Sequence, residues 1–179
     1  MTQSVILITS GVTGIRRGVA FAKKRANVVV AGRRDAAGSA LAKEPRPLGA
    51  EAEFIKADVR SEDDSPSSVD KPVARFGSLD VVVDNADTEG QVGPITDQTA
   101  ESYAATFDTN VLGVLLSMKY EVRVMQKQGS GNGINVSLTY RHEGAAGAPV
   151  YLAGALHRRR ALLGGRYYCS NDAKPRQGA

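Results

Sequence analysis

The chain is poor in the residues that build disulfide frameworks and metal centres. It has one cysteine, Cys169, so no internal disulfide can form, and a reducing compartment such as the cytoplasm is the natural expectation. Its two histidines, His142 and His157, and that lone thiol form no recognisable ligand cluster, so no metal is expected. The apolar run Val5-Ile6-Leu7-Ile8 is too short for a membrane span or a signal peptide, so no membrane partner is expected. Internal repeats are missing, and so is any linker that would separate two domains. At 179 residues the chain is one domain's worth, long enough for a substantial core.

Net charge is also scarce until late in the chain. Residues 1–150 hold 17 Lys and Arg against 18 Asp and Glu, whereas residues 151–179 hold 6 against 1. A basic tail can attract nucleic acid or anionic lipid. This one lacks the sustained pattern of a recognition helix, so nucleic acid is not an expected partner. Residues 1–155 read as one nucleotide-binding domain and 156–179 as an irregular basic tail.

What is present is alternation. Strands are predicted at 4–9, 27–31, 52–57, 79–84 and 133–138, and helices at 13–25, 35–44, 62–76 and 99–127. Such βαβ alternation implies a parallel sheet with helices on both faces, and right-handed crossovers make it a doubly wound, Rossmann-type α/β sheet of about five strands. The first strand runs into Thr9-Ser10-Gly11-Val12-Thr13-Gly14-Ile15, a glycine turn opening a helix. A helix start offers free N–H groups and a partial positive charge, which suit phosphate. Pro72 falls inside the predicted 62–76 helix, where it should cost ~3 kcal/mol. Tyr103, Phe107, Val111, Val114, Leu115, Met118, Val122 and Met125 recur at spacings of three and four, which predicts one apolar stripe packed into the core.

Six motifs in order carry a resemblance. They are Thr9…Gly14-Ile15, Ala57-Asp58-Val59, Asn85-Ala86, Asn110-Val111-Leu112-Gly113, Asn135-Val136-Ser137 and Val150-Tyr151. Together they resemble the classical short-chain dehydrogenase/reductase family, whose members are NAD(P)-dependent oxidoreductases of alcohols and carbonyls. The resemblance implies a cofactor site at Thr9, Ser10, Gly11, Gly14, Ile15, Arg33, Arg34, Asp58, Val59, Asn85 and Ala86. It implies Tyr151 and Asn110 as the catalytic residues and a small carbonyl or alcohol as substrate. Arg33 and Arg34 follow the second strand, where NAD-preferring relatives place an acid. Guanidinium groups there pair with a 2′-phosphate, so NADP is expected over NAD. Asp58 is placed near the adenine by the same resemblance, although an Asp after a strand is more often a turn former.

Several positions depart from the family pattern. In T-G-x-x-x-G-x-G, Ser10 and Arg16 replace two glycines. In N-N-A-G, Asp84 and Asp87 replace the first asparagine and the glycine, putting negative charge where backbone should approach the cofactor. The family tyrosine has a lysine four residues on and a serine thirteen residues back; here those positions are Ala155 and Leu138. A free tyrosine has a pKa of about 10, and a nearby cation lowers it, so loss of the lysine predicts impaired or lost catalysis. The alternative reading is a non-catalytic nucleotide- or partner-binding protein. The family's last two strands are not recognisable after residue 160, so the chain reads as truncated, with its fifth strand an exposed sheet edge. Homo-oligomerisation is expected through helix 99–127.

Overall fold

A computed structural model describes residues 3–10, 26–43, 51–136, 149–151, 153 and 166–168. The helix predicted at 13–25, with Gly11, Gly14 and Ile15, and the Leu138 and Ala155 positions lie outside the described residues. Strand β1 is Val5–Thr9, β2 Asn27–Gly32, β3 Ala52–Lys56, β4 Val81–Asp84, β5 Asn132–Asn135 and β6 Arg166–Tyr168. Helix α1 is Asp35–Ala42, α2 Asp64–Phe76, α3 Ala100–Phe107 and α4 Gly113–Gln128. The sheet order is β3-β2-β1-β4-β5-β6. The first five strands pair in parallel, as the alternation implies.

Successive side chains of a strand point to opposite faces, and here both faces are packed. Val5 and Leu7 of β1 join Val29, Ile55, Val69 of α2, Val82 and Met125 of α4 on one side. Ile6 and Ile8 join Val28, Val30 and Leu41 of α1 on the other. A continuous apolar run is therefore what a central strand requires. The carboxyl ends of these strands all point to one edge, where Thr9, Gly32, Asp84 and Asn135 end their strands.

Two expectations are corrected. The β5 edge is not left open: Arg166–Tyr168, inside the segment expected to be irregular, pairs antiparallel with Asn132–Ile134. Helix α2 forms with Pro72 inside it, as the sequence predicts, and ends at Gly77, where a left-handed φ of 86° and an N–H donated to the Val73 carbonyl at 2.8 Å close it. Pro72 is buried, so its ring contributes packing against the missing N–H.

The long helix also packs differently from its apolar pattern. Its buried face is Ser102, Thr106, Thr109, Asn110, Gly113, Val114, Leu116, Ser117, Glu121 and Met125. Tyr103 and Leu115 of the expected core stripe are 51% and 61% exposed. Small residues let the helix approach closely; a Cβ on Gly113 would lie 2.7 Å from Val59. Thr106 and Thr109 donate their hydroxyls to the carbonyls of Ser102 and Ala105, so their polar atoms are satisfied within the helix.

Candidate active site

At the carboxyl edge, Ser10, Ala31, Gly32, Arg33, Ala57, Asp58, Val59, Ala86, Asp87 and Thr109 line a small open cleft. Ligands of doubly wound sheets bind at this edge, near the point where the strand order reverses. Here the reversal lies between β1, which leads out to β2, and β4 on its other side. The cleft therefore lies where the topology leaves a crevice.

Its floor is a buried hydrogen-bond lattice. The Thr9 hydroxyl accepts the backbone N–H groups of Asn85 at 2.9 Å and Ala86 at 3.1 Å, while the Asn85 amide donates to the Thr9 carbonyl at 3.3 Å. These bonds tie the ends of β1 and β4 together. Asn110 extends the lattice: its Oδ1 accepts the Thr88 N–H and its Nδ2 donates to the Thr88 carbonyl, both at 2.9 Å. Asn110 lies in a π-helical turn, Asp108–Leu112, between α3 and α4. Such turns widen the helix by one residue and frequently occur at functional sites. Asn110 thus uses its side chain to hold the segment after β4.

Ser10 has a φ of 60°, in the left-handed region, and it is a non-glycine residue at a position where the family pattern has glycine. Its N–H donates to Ala31 at 2.7 Å, so the turn is held despite the strain of a Cβ in that region. Left-handed geometry costs a non-glycine residue about 1–2 kcal/mol.

The opposite rim is charged and more exposed. Arg33 faces the cleft from the end of β2, whereas Arg34 caps α1 and is not part of the lining. Asp58 combines the two roles that its sequence left open. It turns the chain by accepting the Arg60 N–H at 3.1 Å, and it lines the cleft. The Arg60 guanidinium reaches the same carboxylate at 2.6–3.1 Å. That contact holds Asp58 below the usual carboxylate range, against burial, with a smaller contribution from the Arg33 charge.

Tyr151 lies on a helical turn at residues 149–151 and is half-buried. Its hydroxyl donates to Asp87 Oδ2 at 3.0 Å. Motif reading treats Asp87 as an intrusion into a glycine position. The structure instead places it between the cleft and the tyrosine, two residues separated by 64 positions. No local signal could have paired them. The Asp58–Arg60 contact could have been anticipated, because an Asp accepting from the residue two ahead is a common turn. Among the described residues no group of acidic, histidine or cysteine side chains could hold a metal ion, and no helix is long and apolar enough to cross a membrane.

Comparison with known proteins converges on the same architecture. The short chain dehydrogenase family model matches residues 4–155. Xanthoxin dehydrogenase of Arabidopsis thaliana is 35% identical over 167 residues, covering 89% of this chain and 56% of its own. A 3-ketoacyl-ACP reductase from Sinorhizobium meliloti 1021 superposes with a TM-score of 0.82 at 30% identity, covering 88% of this chain and 64% of its own. NAD⁺-bound xylitol dehydrogenase superposes with a TM-score of 0.77 at 25% identity, covering 85% and 59%. The chain spans 56% of the length of the first curated relative, a little over half. With its motif order, sheet order and cleft in agreement with the family match, the chain belongs to the short-chain dehydrogenase family.

Proposed function

We propose that this chain is by descent an NADP-linked oxidoreductase of small carbonyls and alcohols, its turnover impaired by Leu138 and Ala155 in the family's serine and lysine positions. The observation that carries the reading is the cleft at the carboxyl ends of β1, β2 and β4, lined by the Arg33 guanidinium and by Asp87, to which Tyr151 donates. The residues fit a dinucleotide. Arg33 would meet a 2′-phosphate, Asp58 and Val59 would border the adenine, and the tied backbone at Asn85 and Ala86 would line its path. Arg34, Gly11, Gly14 and Ile15 complete the set that the family pattern implies. When bound, the nicotinamide supplies hydride chemistry. The chain's share is to bind, orient and manage the proton through Tyr151, with Asn110 fixing the segment that carries Asp87 and Thr88.

A second reading, a nucleotide-binding protein without turnover, is favoured by Leu138 and Ala155 in the family's serine and lysine positions. Titration of the purified chain with NADPH, with NADH as control, combined with a panel of aldehydes, ketones and alcohols, separates the two. NADPH binding at least tenfold tighter than NADH, with turnover that Tyr151→Phe abolishes, supports the first. Binding without turnover supports the second, and no binding removes both. The half-exposed stripe of Tyr103, Phe107 and Leu115 suits a second copy of the chain. The single thiol suits a reducing cytoplasm.

A further inference from the structure

We propose that Asp87 is the proton acceptor that positions Tyr151, supplying a partner for this tyrosine where the family pattern has glycine. The inference rests on the oxidoreductase reading above. Its first ground is contact: Tyr151 donates to Asp87 Oδ2 at 3.0 Å, within the reach that a general base needs. The second is rigidity. Asp87 is flanked by Ala86, whose N–H is bound to Thr9, and by Thr88, whose N–H and carbonyl are both bound to Asn110. A carboxylate between two anchored neighbours is held in place before any substrate arrives. The third is access, because Asp87 lines the cleft itself.

This device works in the opposite sense from a neighbouring lysine. A lysine favours the phenolate; a carboxylate opposes a second negative charge beside it and accepts the phenol's proton. In alcohol oxidation the substrate hydroxyl proton passes to Tyr151 Oη as Tyr151's own proton passes to Asp87 Oδ2. One O–H bond breaks and one forms at the tyrosine, which is neutral before and after. The carboxylate becomes a carboxylic acid, and the substrate's hydride goes to the oxidised nicotinamide cofactor. Carbonyl reduction returns the same proton along the same two bonds.

The test uses the full chain as wild type, Asp87→Asn, Asp87→Glu and Tyr151→Phe. One readout needs no turnover: the near-ultraviolet phenol difference between wild type and Tyr151→Phe. That difference shifts in Asp87→Asn and returns toward wild type in Asp87→Glu if the carboxylate holds the tyrosine. An unmoved difference overturns the proposal. The second readout is alcohol oxidation at saturating NADP. Asp87→Asn lowers kcat ~100-fold, the scale of a positioned base, and Asp87→Glu recovers part of it. Wild-type turnover matched or exceeded by Asp87→Asn overturns the relay and leaves the oxidoreductase reading standing. A wild-type chain that binds NADPH and never turns over overturns both.

Discussion

The two sides of the cleft are built on opposite principles. On the β1–β4 side, Thr9, Asn85 and Asn110 are 3%, 7% and 2% exposed, and their polar atoms bind the backbone of neighbouring segments. On the β2–β3 side, Arg33 is exposed and Asp58 is paired with its own near neighbour, Arg60. Buried polar groups are worth most when completely satisfied and cost most when a partner is lost. Exposed ion pairs contribute about 0–1 kcal/mol. The first side is therefore a structural lattice that sets the shape of the cleft, and the second is a surface on which ligand chemistry can vary at little cost to folding. Asn110 and Thr9 spend their hydrogen-bonding capacity on backbone, whereas Arg33 is left facing the cleft.

The sharpest way to break this comparison is Thr9→Val. It conserves shape but leaves the Asn85 and Ala86 N–H groups without their acceptor, and a loss of about 2–3 kcal/mol is expected in urea unfolding. A loss under about 0.5 kcal/mol, the range of an ordinary surface change, would mean the lattice does not hold the sheet edge. Arg33→Ala probes the other side. NADPH affinity should fall about tenfold, or 1.4 kcal/mol, while the unfolding midpoint stays unchanged. Equal losses for NADPH and NADH would show that Arg33 does not read the 2′-phosphate.

Ser10→Gly sits between the two regions. Relief of the left-handed strain is partly offset by the added freedom of glycine in the unfolded chain, so a gain of about 0.5–1 kcal/mol in stability is expected. Destabilisation would show that the Ser10 side chain contributes more than its backbone geometry costs. The smallest effect belongs to Arg60→Met. Arg60 holds Asp58 below its ordinary value, so the folded chain binds that proton less readily than the unfolded one. The pair's contribution is full above the ordinary Asp pKa of about 3.9 and disappears as pH falls through the lower folded value. Thermal midpoints of wild type and variant should therefore differ slightly at neutral pH and converge in acid.

Local signals reached far into this fold. Five strands, helices α1 and α2, the long helix and the edge that carries the cleft follow from apolar runs, helical periodicity and right-handed crossovers. Those features depend on residues within a few positions of each other. The face of the long helix was not legible in the same way. Its apolar residues suggest one buried stripe, yet Ser102, Thr106, Gly113 and Ser117 face inward because small residues permit close approach and hydroxyls can bond within the helix. Strand β6 was invisible because Arg166–Tyr168 has too few residues to carry a period, and its place is defined by pairing with β5.

The sequence by itself determined the family, the order of the elements and the cleft's position, because these are written in motifs and in the alternation of strand and helix. Only the tertiary structure decided how the site residues are used. Thr9 and Asn110 bind backbone, Asp58 is held by Arg60, and Asp87 meets Tyr151. The physical reason is that a hydrogen bond between side chains 64 positions apart is set by how the sheet edge and a distant helical turn pack, which neither residue's neighbours encode.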